Sequence, residues 1–349
     1  MFLSICIPTF NRASCLKKTL QIYLDQVNLY GYHNVVEFNI SDNASLDDTQ
    51  NVVRDIANRN KGIKIVYKRN NTNLGPDKNF IQAMNMATGE YSILWSDDDY
   101  LREGALEFII NTLKENPKAS IFLSNRNRWI DGKIDDGIEY FINKSVNTRY
   151  YDFSNEDEIF SYFSCVTGVG GLFTYIPSVI YKTEVVKLYD YDNSLDGTYY
   201  SFMFYWWQYL MEGRLLMYLN TSYIDCTISR NVKNENFGEG IYRVLVDYEG
   251  LVRVAKMLKI SGLVKEKFLA CLSCSYNIPQ LVNLRIYTNR NLFDLRMIPI
   301  LRECGLSDKD IKTIVDQSSI KRTIANLIAL CCLPLFRCIS KILSKFRCK

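Results

Sequence analysis

The sequence predicts an α/β protein with a mostly parallel central sheet, flanked by helices and followed by a helical C-terminal extension. Three observations carry the prediction. Through the first 130 residues, short apolar runs alternate with stretches of helical periodicity. Polar turns punctuate each junction, which is how βαβ units and a sheet covered on both faces are written. The most polar of these turns follow apolar runs directly, at the strand ends where open sheets of this kind bind ligands.

Strands are expected at Leu3–Ile7, Val36–Ile40, Ile63–Tyr67, Ser92–Trp95 and Ile121–Leu123, and helices at Cys15–Leu29, Thr49–Asn58, Asp77–Ala87 and Gly104–Leu113. The chain then divides by composition. Residues 1–130 form a ligand-binding half and 131–235 a second half rich in Tyr, Phe, Asp and Gly. Residues 236–320 read as a helical extension and 321–349 as a basic tail. The aromatic run Tyr199–Trp207 reads as core rather than as a platform for sugar rings.

At 349 residues and 48% hydrophobic, the chain can bury one large core or two small ones. Its net charge of +4 gives no global basic field, so nucleic acid is not an expected partner. The seven Lys and Arg of the tail face no acid there and exceed that net charge, which leaves an acidic body. Eleven cysteines form no framework, and Met1–Ile7 runs into Pro8 as a core strand rather than a secretory leader, so a reducing cytoplasm is expected. Cys271-Leu272-Ser273-Cys274 has no partner pair for zinc and reads as buried helix thiols. With His33 the single histidine, any general base is expected to be a carboxylate.

Chemistry concentrates after three strands. Asp97-Asp98-Asp99 closes the apolar run Tyr91–Trp95. Three crowded carboxylates repel one another and are costly to desolvate, so such a cluster faces either a cation or solvent at a helix cap. Oxygen-only ligands suit Mg2+ or Mn2+, which can also hold a diphosphate. Pro8-Thr9-Phe10-Asn11-Arg12 offers amide and guanidinium donors to a phosphate or base. In Ser41-Asp42-Asn43-Ala44-Ser45, Asp42 is placed to accept from a nucleobase, whereas Asp47 further on suits helix capping. No G-x-G-x-x-G follows a strand and there is no Walker loop, so neither dinucleotide nor P-loop chemistry has support.

Together with Asn73-Leu74-Gly75, Asn79 and Ala87-Thr88-Gly89-Glu90-Tyr91, these motifs resemble family 2 glycosyltransferases in order and spacing over residues 2–130. Ser41–Ser45, Ile176–Lys182 and Ser229-Arg230-Asn231 resemble its abequosyltransferase-like branch, which adds 3,6-dideoxyhexoses in bacterial O-antigen synthesis. The resemblance implies a GT-A fold and transfer of a single sugar, such as abequose, from a nucleotide-diphosphate donor to a polyprenyl-diphosphate-linked oligosaccharide. Inversion at the anomeric carbon is the expected outcome. It implies donor contacts from Pro8, Thr9, Asn11, Arg12, Asp42, Asn43, Asn79, Asp97 and Asp98, and a Mn2+ or Mg2+ held by Asp99 with Asp97. Lys78 stands where a basic residue often precedes the family's Asn, as a phosphate contact or a solvated lysine. The family's Glu-Asp pair is missing; Asp196 is the candidate catalytic base, with Asp192 and Glu212 behind it.

The tail interleaves Arg337, Lys341, Lys345 and Arg347 with Ile339, Ile342, Leu343 and Phe346, and its apolar stretch is too short to span a bilayer. It suits an anionic membrane surface, or else docks on the body. The expected location is peripheral, on the inner face of the plasma membrane. Two alternatives remain open: another family 2 transferase using a UDP- or dTDP-hexose, and a non-catalytic membrane-docked carbohydrate-binding protein.

Overall fold

The computed structural model describes residues 1–130, 133–228, 241–287 and 289–323. In the first half, β1 (Leu3–Thr9), α1 (Ala13–Tyr30), β2 (Val36–Asp42), α2 (Thr49–Arg59), β3 (Lys64–Arg69), α3 (Pro76–Asn85) and β4 (Tyr91–Leu94) follow the expected alternation. A short β5 (Tyr100–Leu101), α4 (Ala105–Glu115) and a long β6 (Ile121–Ile130) complete it. The second half adds β7 (Lys133–Glu139), β8 (Arg149–Asp152), α5 (Glu156–Cys165), β9 (Val179–Lys182), α6 (Ser201–Leu210) and β10 (Leu215–Ile228). Beyond it lie α7 (Ile241–Met257), α8 (Gly262–Ala270) and α9 (Ile278–Tyr287), with helical backbone again at 308–323.

Both halves share one sheet, ordered β3-β2-β1-β4-β9-β6-β10-β5, with β7 on β6 and β8 on β10. β3, β2, β1 and β4 are mutually parallel, and so are β6 and β10. β9, from the second half, enters antiparallel between β4 and β6 and joins them. The sequence did not mark β9, because four residues between irregular turns carry too little alternation to stand out.

Alternate residues of each strand serve opposite faces, so the sheet separates two cores. Leu3, Ile5 and Ile7 pack with Leu16, Leu20 and Tyr23 of α1 and Leu106, Ile109 and Ile110 of α4. Cys6, Leu94, Leu123 and Tyr181 face the other way, with α3, α6 and the C-terminal helices through Ile314. Most of the aromatic run is core as expected, Tyr199 excepted: Trp206 and Trp207 are fully buried, and Trp207 stacks on Phe173 at 4.6 Å between ring centroids.

Cys271 is buried, but Cys274 is exposed, so only one of the two thiols sits in the core as expected. Among the described residues no helix is long and apolar enough to cross a membrane. Ser229-Arg230-Asn231 and the tail from residue 324 lie outside the described residues.

Candidate active site

Register brings the chemistry together. Thr9 pairs with Asp42 across β1 and β2, and Cys6 pairs with Leu94 across β1 and β4, so three polar strand exits meet at one end of the sheet. A cavity of about 390 Å³ opens there. Its polar wall includes Thr9, Arg12, Asn43, Asn79, Asp97 and Asp98, and its apolar wall Phe10, Phe80, Ile176 and Tyr199.

Asp97 is the most constrained of these groups. Its side chain accepts from Thr9 Oγ1 at 2.7 Å and Arg12 Nη1 at 3.3 Å, while Thr19 Oγ1 donates to its carbonyl at 3.0 Å. Arg12 also donates to Asp98, which accepts from Ser96 Oγ as well. Burial, then repulsion from Asp98, push the Asp97 carboxyl up to about 7, although Arg12 and Thr9 pull it down. Fully ionised, the pair would carry more negative charge than one guanidinium offsets.

Asp99 points elsewhere. It is 4% exposed and does not line the cavity. Its carbonyl anchors Trp95 Nε1 at 3.1 Å. The direct-ligand role expected of Asp99 thus has no support from this arrangement; side-chain direction after a strand end is not written in the spacing. Among the described residues no group of three or more His, Cys, Asp or Glu is placed to hold a metal ion. Two carboxylates with surplus charge still fit Mg2+ or Mn2+, which is commonly held by one or two carboxylates plus substrate phosphates.

The remaining expected donor residues divide. Pro8, Asn43 and Asn79 line the cavity. Asn43 is also a hub: its Nδ2 donates to Asn73 Oδ1 at 2.8 Å and its Oδ1 accepts from Leu74 N at 2.8 Å, so Asn73-Leu74-Gly75 is tied to the end of β2. Asn79 holds Ser41 through both ends of its amide. Asp42 is fully buried, accepting from Ser45 N at 2.8 Å and from the Tyr67 hydroxyl, with Arg69 Nε at 3.7 Å. Asn11 has φ +53 and accepts from Leu46 N at 2.7 Å, locking two loops together. Neither Asp42 nor Asn11 lines the cavity.

Asp196 is exposed and pairs with Lys78 Nζ at 2.8 Å; Tyr191 also donates to it. These bonds, from Lys78 first and then Tyr191, hold its carboxyl below the usual range. Neither it nor Lys78 is on the cavity lining, but Tyr199, three residues later, is. Of the reserves, Asp192 caps a short turn through Ser194 N at 2.8 Å, and Glu212 accepts from the Tyr189 hydroxyl at 2.6 Å.

Two features escaped the sequence. Tyr199 lines the cavity with φ +62, a backbone state that an aromatic residue gives no hint of. Glu37, inside β2, is fully buried and accepts from Ser4 Oγ at 2.7 Å and Thr88 N at 2.7 Å, with Lys64 Nζ at 2.6 Å. Gly89 donates to the same Ser4 Oγ at 2.9 Å, and an added Cβ would sit 2.8 Å from it. Ala87–Tyr91 is therefore a structural buckle, not a ligand loop.

A parallel half-sheet ending in paired aspartates over one polar cavity is the frame of a GT-A transferase. The chain belongs to glycosyl transferase family 2. That family's model matches residues 4–172, and abequosyltransferase RfbV of Salmonella typhimurium is 31% identical over 257 residues, 73% of this chain and 74% of that protein. A GalNAc(5)-diNAcBac-PP-undecaprenol beta-1,3-glucosyltransferase of Campylobacter jejuni is 32% identical over 113 residues, 32% of this chain and 35% of that protein. Residues 1–349 of S. aureus TarS in complex with UDP-GlcNAc superpose with a TM-score of 0.57 at 16% identity, covering 91% of this chain and 79% of that one. A longer TarS structure gives 0.56 at 17% identity, covering 85% of this chain and 46% of that one. At these identities the likeness to TarS is one of fold.

Proposed function

We propose that this glycosyltransferase moves one sugar from a nucleotide-diphosphate donor to a lipid-linked oligosaccharide in bacterial surface polysaccharide (O-antigen) synthesis. A 3,6-dideoxyhexose such as abequose is the favoured sugar, by likeness to RfbV. The observation that carries the reading is the Thr9–Asp97–Arg12–Asp98 cluster on the wall of a cavity large enough for a small ligand. Arg12, one-third exposed at its side chain, is placed to meet the negative charge of a diphosphate. Asp97 and Asp98 would hold Mn2+ or Mg2+, whose chemistry is to offset charge on the leaving diphosphate.

The protein's own residues set the rest. Thr9 and Thr19 fix the Asp97 side chain and main chain, so the acid is oriented before any ligand arrives. Phe10, Phe80, Ile176 and Tyr199 exclude water from one side of the cavity and favour an apolar sugar face. Asp196 is the proposed general base. Its pairing with Lys78 weakens it as a base, so release from Lys78 would free it for proton abstraction.

A lipid-linked acceptor is supported by the Campylobacter relative, named for an undecaprenol-linked saccharide. It agrees with a basic amphipathic tail that would rest on the inner face of the plasma membrane. That relative is a glucosyltransferase, which keeps a UDP- or dTDP-hexose as the second reading of the donor. Hydrolysis of a panel of nucleotide sugars, with and without Mn2+, tests the proposal. Metal-dependent release of one sugar supports it; no release from any donor favours a binding protein without catalysis.

A further inference from the structure

Asp77 stands in the first turn of α3, yet its carboxylate serves the loop that leads into α6. It is 2% exposed. Its Oδ2 accepts from the amides of Gly197 at 2.9 Å and Tyr199 at 3.1 Å. Its Oδ1 accepts from the amide of Ser201 at 3.1 Å and the hydroxyl of Thr198 at 3.2 Å. Ser201 Oγ returns a bond to the Asp77 carbonyl at 3.1 Å. A buried carboxylate that accepts three backbone N–H groups makes charge-assisted bonds, stronger than neutral ones. Its place at the first residue of α6 adds the favourable field of a helix N-terminus.

The loop needs such a clamp. Gly197 has φ +77 and Tyr199 φ +62. Glycine adopts that region freely, whereas a tyrosine keeps it only where surroundings over-determine the backbone. The bond from the Tyr199 amide to Asp77 supplies that constraint, and the conformation places Tyr199 on the cavity wall. Lys78, the next residue on α3, pairs with Asp196 at the front of the same loop. Two adjacent α3 residues thus grip the segment 196–201, one by its exposed acid and one by its buried amides.

From this we infer that Asp77 is a positioning residue for sugar transfer: it fixes the Asp196–Tyr199 loop over the donor cavity and so sets where the acceptor hydroxyl is presented. The inference rests on the transferase reading above. Asp77 itself lies off the cavity lining and acts through Tyr199 and Asp196.

The test compares wild type with Asp77→Asn, which keeps the size of the side chain but loses its charge and part of its accepting capacity. Hydrogen exchange at the amides of Gly197, Tyr199 and Ser201 should speed up by about tenfold or more, since bonds to a charged acceptor are lost. The affinity for whichever of CDP, UDP, GDP or dTDP the wild type binds best should stay within about twofold. Transfer to a lipid-linked oligosaccharide fraction extracted from bacterial membranes should fall about tenfold or more relative to hydrolysis of the donor. Unchanged exchange, or an equal loss of nucleotide affinity, hydrolysis and transfer, overturns the inference in favour of a purely structural role. Should Asp77→Asn fail to unfold cooperatively, Gly197→Ala repeats the test. Its new Cβ meets nothing within 4 Å, so it strains only the backbone, and the same split between transfer and hydrolysis is expected. Absence of nucleotide binding in the wild type sinks the transferase reading instead, while the exchange comparison still judges the clamp.

Discussion

Arg12 Nη1 lies 3.3 Å from Asp97 Oδ1 and also donates to Asp98, so one guanidinium joins the turn after β1 to the exit of β4. With Asp97 raised to about 7, the folded protein holds a proton there that the unfolded chain, near the ordinary 3.8, has already released. Stability attributable to this group is therefore greatest at low pH and falls as pH rises through that window. In metal-free protein, urea midpoints should show this decline between about pH 4 and pH 7, and Arg12→Ala should extend it to higher pH. Mn2+ should offset it in both proteins. A decline equally present in Asp97→Asn would place its origin elsewhere.

Glu37 gives the opposite dependence. Burial alone would raise its carboxyl, but bonds from Lys64, Ser4 and Thr88 outweigh burial and hold it at about 2, against an ordinary 4.5. Its contribution is complete above pH 4.5 and is lost as pH falls towards about 2. Glu37→Gln should lower stability at neutral pH by about 1–3 kcal/mol, discounted for the partly exposed Lys64, and should flatten the acid limb of the profile. Acid denaturation that is identical in the variant and wild type would remove Glu37 from this role.

The Lys78–Asp196 pair makes a kinetic prediction. Asp196→Asn should lower turnover by about 10²-fold or more with nucleotide affinity nearly unchanged, the usual scale for loss of a general base. Lys78→Met removes the first cause of the depressed Asp196 carboxyl, so the acid limb of its pH–rate profile should move to higher pH. Equal losses of affinity and turnover in Asp196→Asn would mark Asp196 as structural.

The parallel half of the fold was readable because each of its strands is a short apolar run closed by a polar turn, and such turns punctuate a chain strongly. Ser41–Ser45 and Asp97–Asp99 were legible for the same reason. Which acid faces the cavity was not: spacing does not distinguish Asp98, which Arg12 and Ser96 bind at the cavity, from Asp99, which is buried off its lining. Asp42 looked like a free acceptor because Tyr67 and Arg69, which occupy it, come from the next strand. Asp77 appeared only as the first residue of an expected helix; its partners lie more than a hundred residues away. Tyr199 was submerged in an aromatic run whose other members are core.

For the tail, each Lys or Arg near an anionic leaflet contributes about 1 kcal/mol, and the apolar residues between them add burial. Deleting residues 321–349 should move the protein from anionic vesicles to the supernatant in co-sedimentation and spare hydrolysis of the donor. High salt should partly mimic the deletion. Equal pelleting of both forms would remove the tail as the anchor.

The Asp97–Asp98 cavity is expected to bind a nucleoside diphosphate with a divalent cation. Calorimetric titration of the full chain with CDP, UDP, GDP and dTDP, each with and without Mn2+, tests it most directly. At least one nucleotide should bind at a single site, more tightly with Mn2+, and Asp98→Asn should remove the gain from Mn2+ while Asp99→Asn, if folded, retains it. Binding of none of the four, or a Mn2+ gain that survives Asp98→Asn and disappears in a folded Asp99→Asn, would contradict it.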